Sequence, residues 1–214
     1  MEATIEKLDL QKADPNYYKA GNKPELKDLE PYYYLSISGR GNPESEIFIT
    51  AIEKIYAVAY AIKFTCKAED MDFVVPKMEA FWWIDGGLEA QHKFTQTPME
   101  EWNWKIVIRM PDFVEGDHYY RAVQKVKVKN PSLLGDKEVK YELLNEGRVV
   151  QILHIGSYHK EEPSIMKMLE FLKQNGLEVS GYHHEIYLSD PRKTPEEKLK
   201  TILRYEVRNI KNGK

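Results

Sequence analysis

The chain has 214 residues, a formal net charge of −3, 42% hydrophobic and 30% charged residues, and a single cysteine, Cys66. That is enough for one large domain or two intimate halves; the lack of a basic excess speaks against nucleic-acid binding, and one cysteine excludes an intramolecular disulfide and fits a reducing compartment. The N-terminal Met1-Glu2-Ala3-Thr4-Ile5-Glu6-Lys7 lacks the character of a signal peptide and no apolar run reaches transmembrane length, so a cytoplasmic protein without membrane contact is expected.

Residues 1–31 are polar and punctuated by Pro15, Pro24 and Pro31, and predict an arm lying over the surface. Residues 32–38 read as a strand of aromatic and β-branched type, and Gly39-Arg40-Gly41-Asn42-Pro43 reads as a turn, with Asn42 or Ser45 available to cap the next element. From Glu44 to about Phe64, the residues Phe48, Ile52, Ile55, Ala59 and Ile62 recur at helical spacing. Residues 72–85 and 101–109 predict strands, and Asp117 to about Val126 a helix joining two halves. The short basic run Lys125 to Lys129 reads as a solvated face.

Residues 139–144 and 148–155 predict a hairpin around Asn145-Glu146-Gly147. Ile165, Met168, Leu169 and Leu172 mark a helix over 162–175, ended by Asn175-Gly176. Strands over 181–188 and 199–208 close the chain.

Each half therefore reads strand–helix–strand–strand, in pseudo-repeats over about 32–110 and 138–208. A glutamate with aromatic neighbours recurs (Glu79 with Phe81, Trp82 and Trp83; Glu185 with Tyr187), and each is followed by a Thr-Pro pair, Thr97-Pro98 and Thr194-Pro195. The expected fold class is α+β: antiparallel sheets, helices outside, and a central aromatic groove where the halves meet. Strand alternation puts His183, Glu185 and Tyr187 on one face and Ile186 and Leu188 on the other. The apolar face is expected to meet the helices, so Glu185 is expected to point away from them into the seam. A carboxylate among rings is partly desolvated, which disfavours its charged form and makes it a better base. By the same alternation Glu79, Phe81 and Trp83 share a face, with Trp82 expected in the core. Aromatic residues make up 12% of the chain, and their clustering at Tyr32-Tyr33-Tyr34, Phe81-Trp82-Trp83, and Trp102 with Trp104 suggests walls for a flat aromatic or hydrophobic small molecule.

The passage Gly181-Tyr182-His183-His184-Glu185-Ile186-Tyr187-Leu188-Ser189-Asp190-Pro191, followed by Thr194-Pro195-Glu196-Glu197-Lys198-Leu199-Lys200-Thr201, resembles the closing signature of GyrI-like small-molecule-binding domains. Tyr33 to Gly41 and Phe73 to Trp83 look like the stand-alone bacterial branch, and the resemblance covers most of residues 32–208. It implies one domain made of two strand–helix–strand–strand units around an aromatic groove. Members include effector domains of multidrug-sensing activators, a gyrase inhibitor, and stand-alone hydrolases that open the cyclopropane ring of DNA-alkylating natural products of the duocarmycin and yatakemycin type.

For this chain the resemblance implies Glu185 as the catalytic carboxylate or the partner of a cationic ligand, with Tyr187 a candidate donor to a developing oxyanion. Tyr34, Phe81, Trp83, Trp104 and His183 are candidate ligand contacts, and no cofactor is implied. Residues 1–31 are too short and Pro-rich for a helix-turn-helix, so direct DNA binding is not expected. Three functions are compatible with these residues: a cofactor-free hydrolase, a non-catalytic sensing or sequestering protein, and a gyrase-inhibitor-like interaction protein.

Other chemistries lack their spacing. His183 and His184 point oppositely along a strand and cannot readily share an ion, so no metal site is expected. Ser38-Gly39-Arg40-Gly41 lacks the phosphate-loop pattern, and Gly156-Ser157-Tyr158-His159 lacks the second glycine of a nucleophile elbow. No nicotinamide or flavin fingerprint is present, and the oligomeric state is left open.

Overall fold

The computed structural model describes residues 6–135 and 138–210; the first five residues of the predicted arm lie outside them. The arm holds two single turns, α1 (Leu10–Ala13) and α2 (Pro15–Tyr18), and a strand, β1 (Glu25–Asp28). Then come β2 (Tyr32–Arg40), the long helix α3 (Glu46–Lys67), β3 (Glu79–Trp83) and β4 (Asn103–Arg109). Helices α4 (Gly116–Lys129) and α5 (Pro131–Leu134) lead to β5 (Lys140–Leu144) and β6 (Arg148–Ile155). Helix α6 (Glu162–Gln174), β7 (Leu177–Val179), β8 (His183–Tyr187) and β9 (Lys200–Asn209) complete the fold.

The strands form one antiparallel sheet in the order β1-β6-β9-β8-β3-β4-β2-β5, with β7 added beside β9. The duplication is visible in that order. One unit runs β2-β4-β3 and the other β6-β9-β8, and they join where β3 pairs with β8. Each Thr-Pro pair opens a short 3-10 turn, Met99–Glu101 and Glu196–Lys198, that delivers the chain into β4 and β9.

The predicted hairpin between residues 139–144 and 148–155 does not form. β5 pairs with β2, and β6 with β1 and β9. The two strands stand near opposite ends of the sheet, yet only residues 145–147 join them. At about 3.5 Å per residue the four steps from Leu144 to Arg148 span at most about 14 Å. The sheet must therefore curl until its ends approach each other, which gives it an inner and an outer face.

Helices α3 and α6 lie on one face. Ser45 caps α3, its hydroxyl accepting the Phe48 N–H at 3.3 Å. The periodic stripe of α3 (Phe48, Ile55, Ala59 and Ile62) packs against Leu35, Ile37, Ala80, Trp82, Trp104, Ile106 and Ile108. The stripe of α6, Met168 and Leu172, packs against Val150, Ile152, Leu203 and Val207. The other face is closed by the arm: Leu10, Tyr17, Tyr18 and Leu29 bury against Tyr34, Val107, Val149, Ile186 and Ile202. The arm thus supplies an edge strand and the cover of the inner face. Of the strand predicted over residues 72–85 only Glu79–Trp83 is formed; the segment around Pro76 is irregular because proline cannot donate to a ladder.

Candidate functional site

β3 and β8 meet at the junction of the two halves, with Ala80 opposite Glu185 and Trp82 opposite His183. Ala80 and Trp82 belong to the α3 core. Glu185, His183 and Tyr187 therefore stand on the helix face, in the gap between the territories of α3 and α6. This corrects the expectation that Glu185 points away from the helices. The apolar residue Ile186 does have a buried destination, but it is the arm and not a helix. Glu79 is likewise not the symmetric mate of Glu185, since it lies on the opposite face among the arm residues.

Glu185 has company that the sequence did not suggest. Glu161, at the N-cap of α6, makes no capping bond; its side chain turns to the seam instead. His183 Nε2 lies 3.4 Å from Glu185 Oε1 and 3.6 Å from Glu161 Oε2. The side chains of His183, Glu185 and Glu161 are 10%, 13% and 7% exposed. Burial, and next the charge of Glu185, push the Glu161 carboxyl up to about 8, against the pull of His183. For His183, burial acts downward, but Tyr205 and the two carboxylates outweigh it and hold the imidazole well above its usual value. At neutral pH the trio thus pairs an imidazolium with a neutral Glu161.

Aromatic rings flank the trio. The Tyr158 ring meets Tyr187 edge-on at 5.5 Å, and Tyr205 lies 5.0 Å from His183. The Tyr187 hydroxyl accepts from the Trp82 indole N–H at 3.3 Å. Burial and the neighbouring Glu185 charge hold the Tyr187 phenol well above 10, and burial takes Tyr158 to about 12. Both stay neutral donors across the physiological range.

The remaining predicted contacts lie elsewhere. Tyr34 is buried on the inner face, its hydroxyl 2.7 Å from that of Tyr17. Phe81 stacks on His184 at 3.9 Å and Trp83 on Tyr182 at 5.0 Å; strand alternation puts both on the inner face with Glu79. Trp104 is fully buried under α3, where Gly39 makes room for it: a Cβ at Gly39 would stand 2.3 Å from the indole ring. Trp104 also borders a shallow depression of about 360 Å³, none of whose walls come from β8. Of the predicted site residues only His183, Glu185 and Tyr187 come together.

The inner face carries a second polar cluster directly behind the site. Glu79 Oε2 accepts from the Tyr17 hydroxyl at 2.5 Å and contacts His184 Nε2 at 3.1 Å. The Nδ1 of the same histidine lies 2.9 Å from Glu146, which Arg204 reaches at 3.3 Å. Arg204 also donates to Gln151 and to the Tyr17 carbonyl, both at 2.8 Å, with its guanidinium 4.3 Å from the Tyr17 ring centre. Burial works against the Glu146 charge, but His184 and Arg204 prevail and take its carboxyl down to about 2. The cluster ties β8 to β9, the arm and the 145–147 link, and so fixes from behind the strand that bears Glu185.

Glu161, His183 and Glu185 each offer one ligand atom within 4.8 Å of the others, a spacing that could hold a metal ion. The trio is a poor fit for one. A metal-bound histidine normally donates its second ring nitrogen to an acceptor, and His183 Nδ1 is buried without one.

Against known proteins, the family profile described as the GyrI-like small molecule binding domain matches residues 106–207. The chain is 34% identical to an uncharacterized conserved protein from Listeria innocua, over 94% of this chain and all of that one, with a TM-score of 0.85. It is 33% identical to a hydrolase from Listeria innocua, again over 94% and 100%, with a TM-score of 0.82. The C-terminal domain of EcmrR shares the fold at 11% identity, covering 88% of this chain and 98% of that domain, with a TM-score of 0.55. No curated protein matches. The chain belongs to the GyrI-like small-molecule-binding domain family. Among the described residues no helix is long and apolar enough to cross a membrane.

Proposed function

We propose that this protein is a cofactor-free cytoplasmic hydrolase that opens the cyclopropane ring of flat, DNA-alkylating natural products of the duocarmycin and yatakemycin type. One observation carries the reading: the Glu185 carboxylate is nearly dry, flanked by phenol rings and 3.4 Å from the His183 ring nitrogen, where the two halves join. The crystallised hydrolase with one third of its residues identical supports it.

In the proposed reaction a water oxygen bonds to the ring CH₂ while Glu185 takes the water proton. The strained carbon–carbon bond breaks, and its electron pair moves through the conjugated dienone to the carbonyl oxygen. That oxygen takes a proton from solvent and becomes a phenol. Tyr187 lies at the Glu185 end of the site, so its hydroxyl is better placed to hold the carboxylate on the water than to reach the distant oxygen. Tyr158 and Tyr187 supply the aromatic surface.

The test is to incubate excess dienone-conjugated cyclopropane with the purified protein and follow the ring-opened phenol by chromatography. Consumption of many equivalents supports a hydrolase. A plateau at one equivalent would replace it with the sequestering reading, and no binding would remove both.

A further inference from the structure

The cyclopropane reaction leaves Glu161 without a task. That reaction delivers an electron pair to an oxygen on the far side of a six-membered ring, and a proton donor for it must stand a ring's width from the base. Glu161 stands beside the base: both carboxylates address the same Nε2 of His183, at 3.6 and 3.4 Å. Its other oxygen, Oε1, is buried and has no hydrogen-bond partner. The titratable groups around it are His183 and Glu185 on β8 and Tyr158 ahead of α6, with Tyr205 of β9 behind His183. A carboxyl held neutral by its surroundings, with an idle buried oxygen, lacks an acceptor. The separation of a carboxyl pair decides which bonds it can serve.

We propose that the same seam hydrolyses aryl-substituted epoxides, with Glu185 as base and Glu161 as acid. The inference rests on Glu185 acting as the base, as it does in the cyclopropane reaction. In an epoxide the attacked carbon and the departing oxygen are bonded to each other, so base and acid must work within a few ångströms of one another. Water forms a bond to one ring carbon and gives its proton to Glu185. The bond from that carbon to the ring oxygen breaks, and the oxygen takes the Glu161 proton. The product is a vicinal diol. His183 Nε2, between the two carboxyls, then passes its proton to Glu161 and accepts the one on Glu185, which restores the starting state. Tyr158 and Tyr187 favour an aryl group on the substrate.

Styrene oxide is the probe, with the diol measured by chromatography beside the dienone-conjugated cyclopropane. The parent protein should form the diol over many turnovers, and Glu185→Gln and Glu161→Gln should each lower that rate by about a hundredfold or more. Glu161→Gln should lose more of its epoxide rate than of its cyclopropane rate, and a circular dichroism spectrum matching the parent's shows that the variant is folded. Glu161→Asp, which keeps the acid, should retain more epoxide turnover than Glu161→Gln. If the parent opens the cyclopropane but leaves styrene oxide at the buffer rate, this inference falls and the hydrolase reading stands. Undiminished epoxide turnover by Glu161→Gln, or equal loss in Asp and Gln, would also overturn it. If neither compound is consumed, both readings fall.

Discussion

Glu161 and His183 give the site a pH signature opposite to that of an ordinary surface carboxylate. The folded state holds the Glu161 proton up to about 8, against an ordinary 4.5. Its contribution to stability is complete below 4.5 and is lost as pH rises towards 8. His183, raised above 6.5, acts in the same direction. Glu146, lowered to about 2, contributes above 4.5 and is lost as pH falls towards 2. The urea midpoint is therefore expected to fall between pH 5 and 8.5, by a few kcal/mol in free energy. Glu161→Gln should flatten that fall, and a parent midpoint that rises over the interval would contradict the assignment. Sequence alternation was enough to unite His183, Glu185 and Tyr187. It could not find Glu161, whose place before Glu162 and Pro163 reads as ordinary helix-start chemistry.

The helices were the most legible elements. The spacing in α3 and α6 survives because each buries one stripe on a sheet, and propensity and packing agree there. Which face of β8 those helices cover was not legible, because Ile186 is buried by the arm and periodicity does not say by what. The false hairpin has a similar origin: Asn145-Glu146-Gly147 has the composition of a turn, but β-pairing across a curled sheet is non-local. Two substitutions test these elements. Gly39→Ala puts a methyl into the Trp104 ring and should cost about 1–3 kcal/mol. An unchanged melting temperature would show that α3 does not pack as described. Tyr17→Phe leaves Glu79 short of its closest donor and should cost about 1–3 kcal/mol in urea unfolding; no loss would mean that the arm is not seated on the sheet.

At the scale of the molecule the curled sheet works from both sides. Its outer face bears two helices and, between them, Glu185. Its inner face holds Glu79, His184, Glu146 and Arg204, buried and mutually paired against the back of the same strand. Removing one partner leaves the others charged and buried, so Arg204→Met is expected to destabilise the protein by about 3–5 kcal/mol. Thermal denaturation checks this, and a neutral result would mean that the cluster does not hold β8. The duplication was legible from the Thr-Pro pairs and repeated strand–helix pattern. The curl was not, since it comes from which distant strands pair.

The role proposed for the Glu185 carboxylate is to activate water at the seam between the halves. Its most direct test is the rate of cyclopropane opening by Glu185→Gln, a change that keeps the shape of the side chain and removes the base. A loss of about a hundredfold or more is predicted, with ligand binding retained. A variant that opens the ring as fast as the parent would contradict the account.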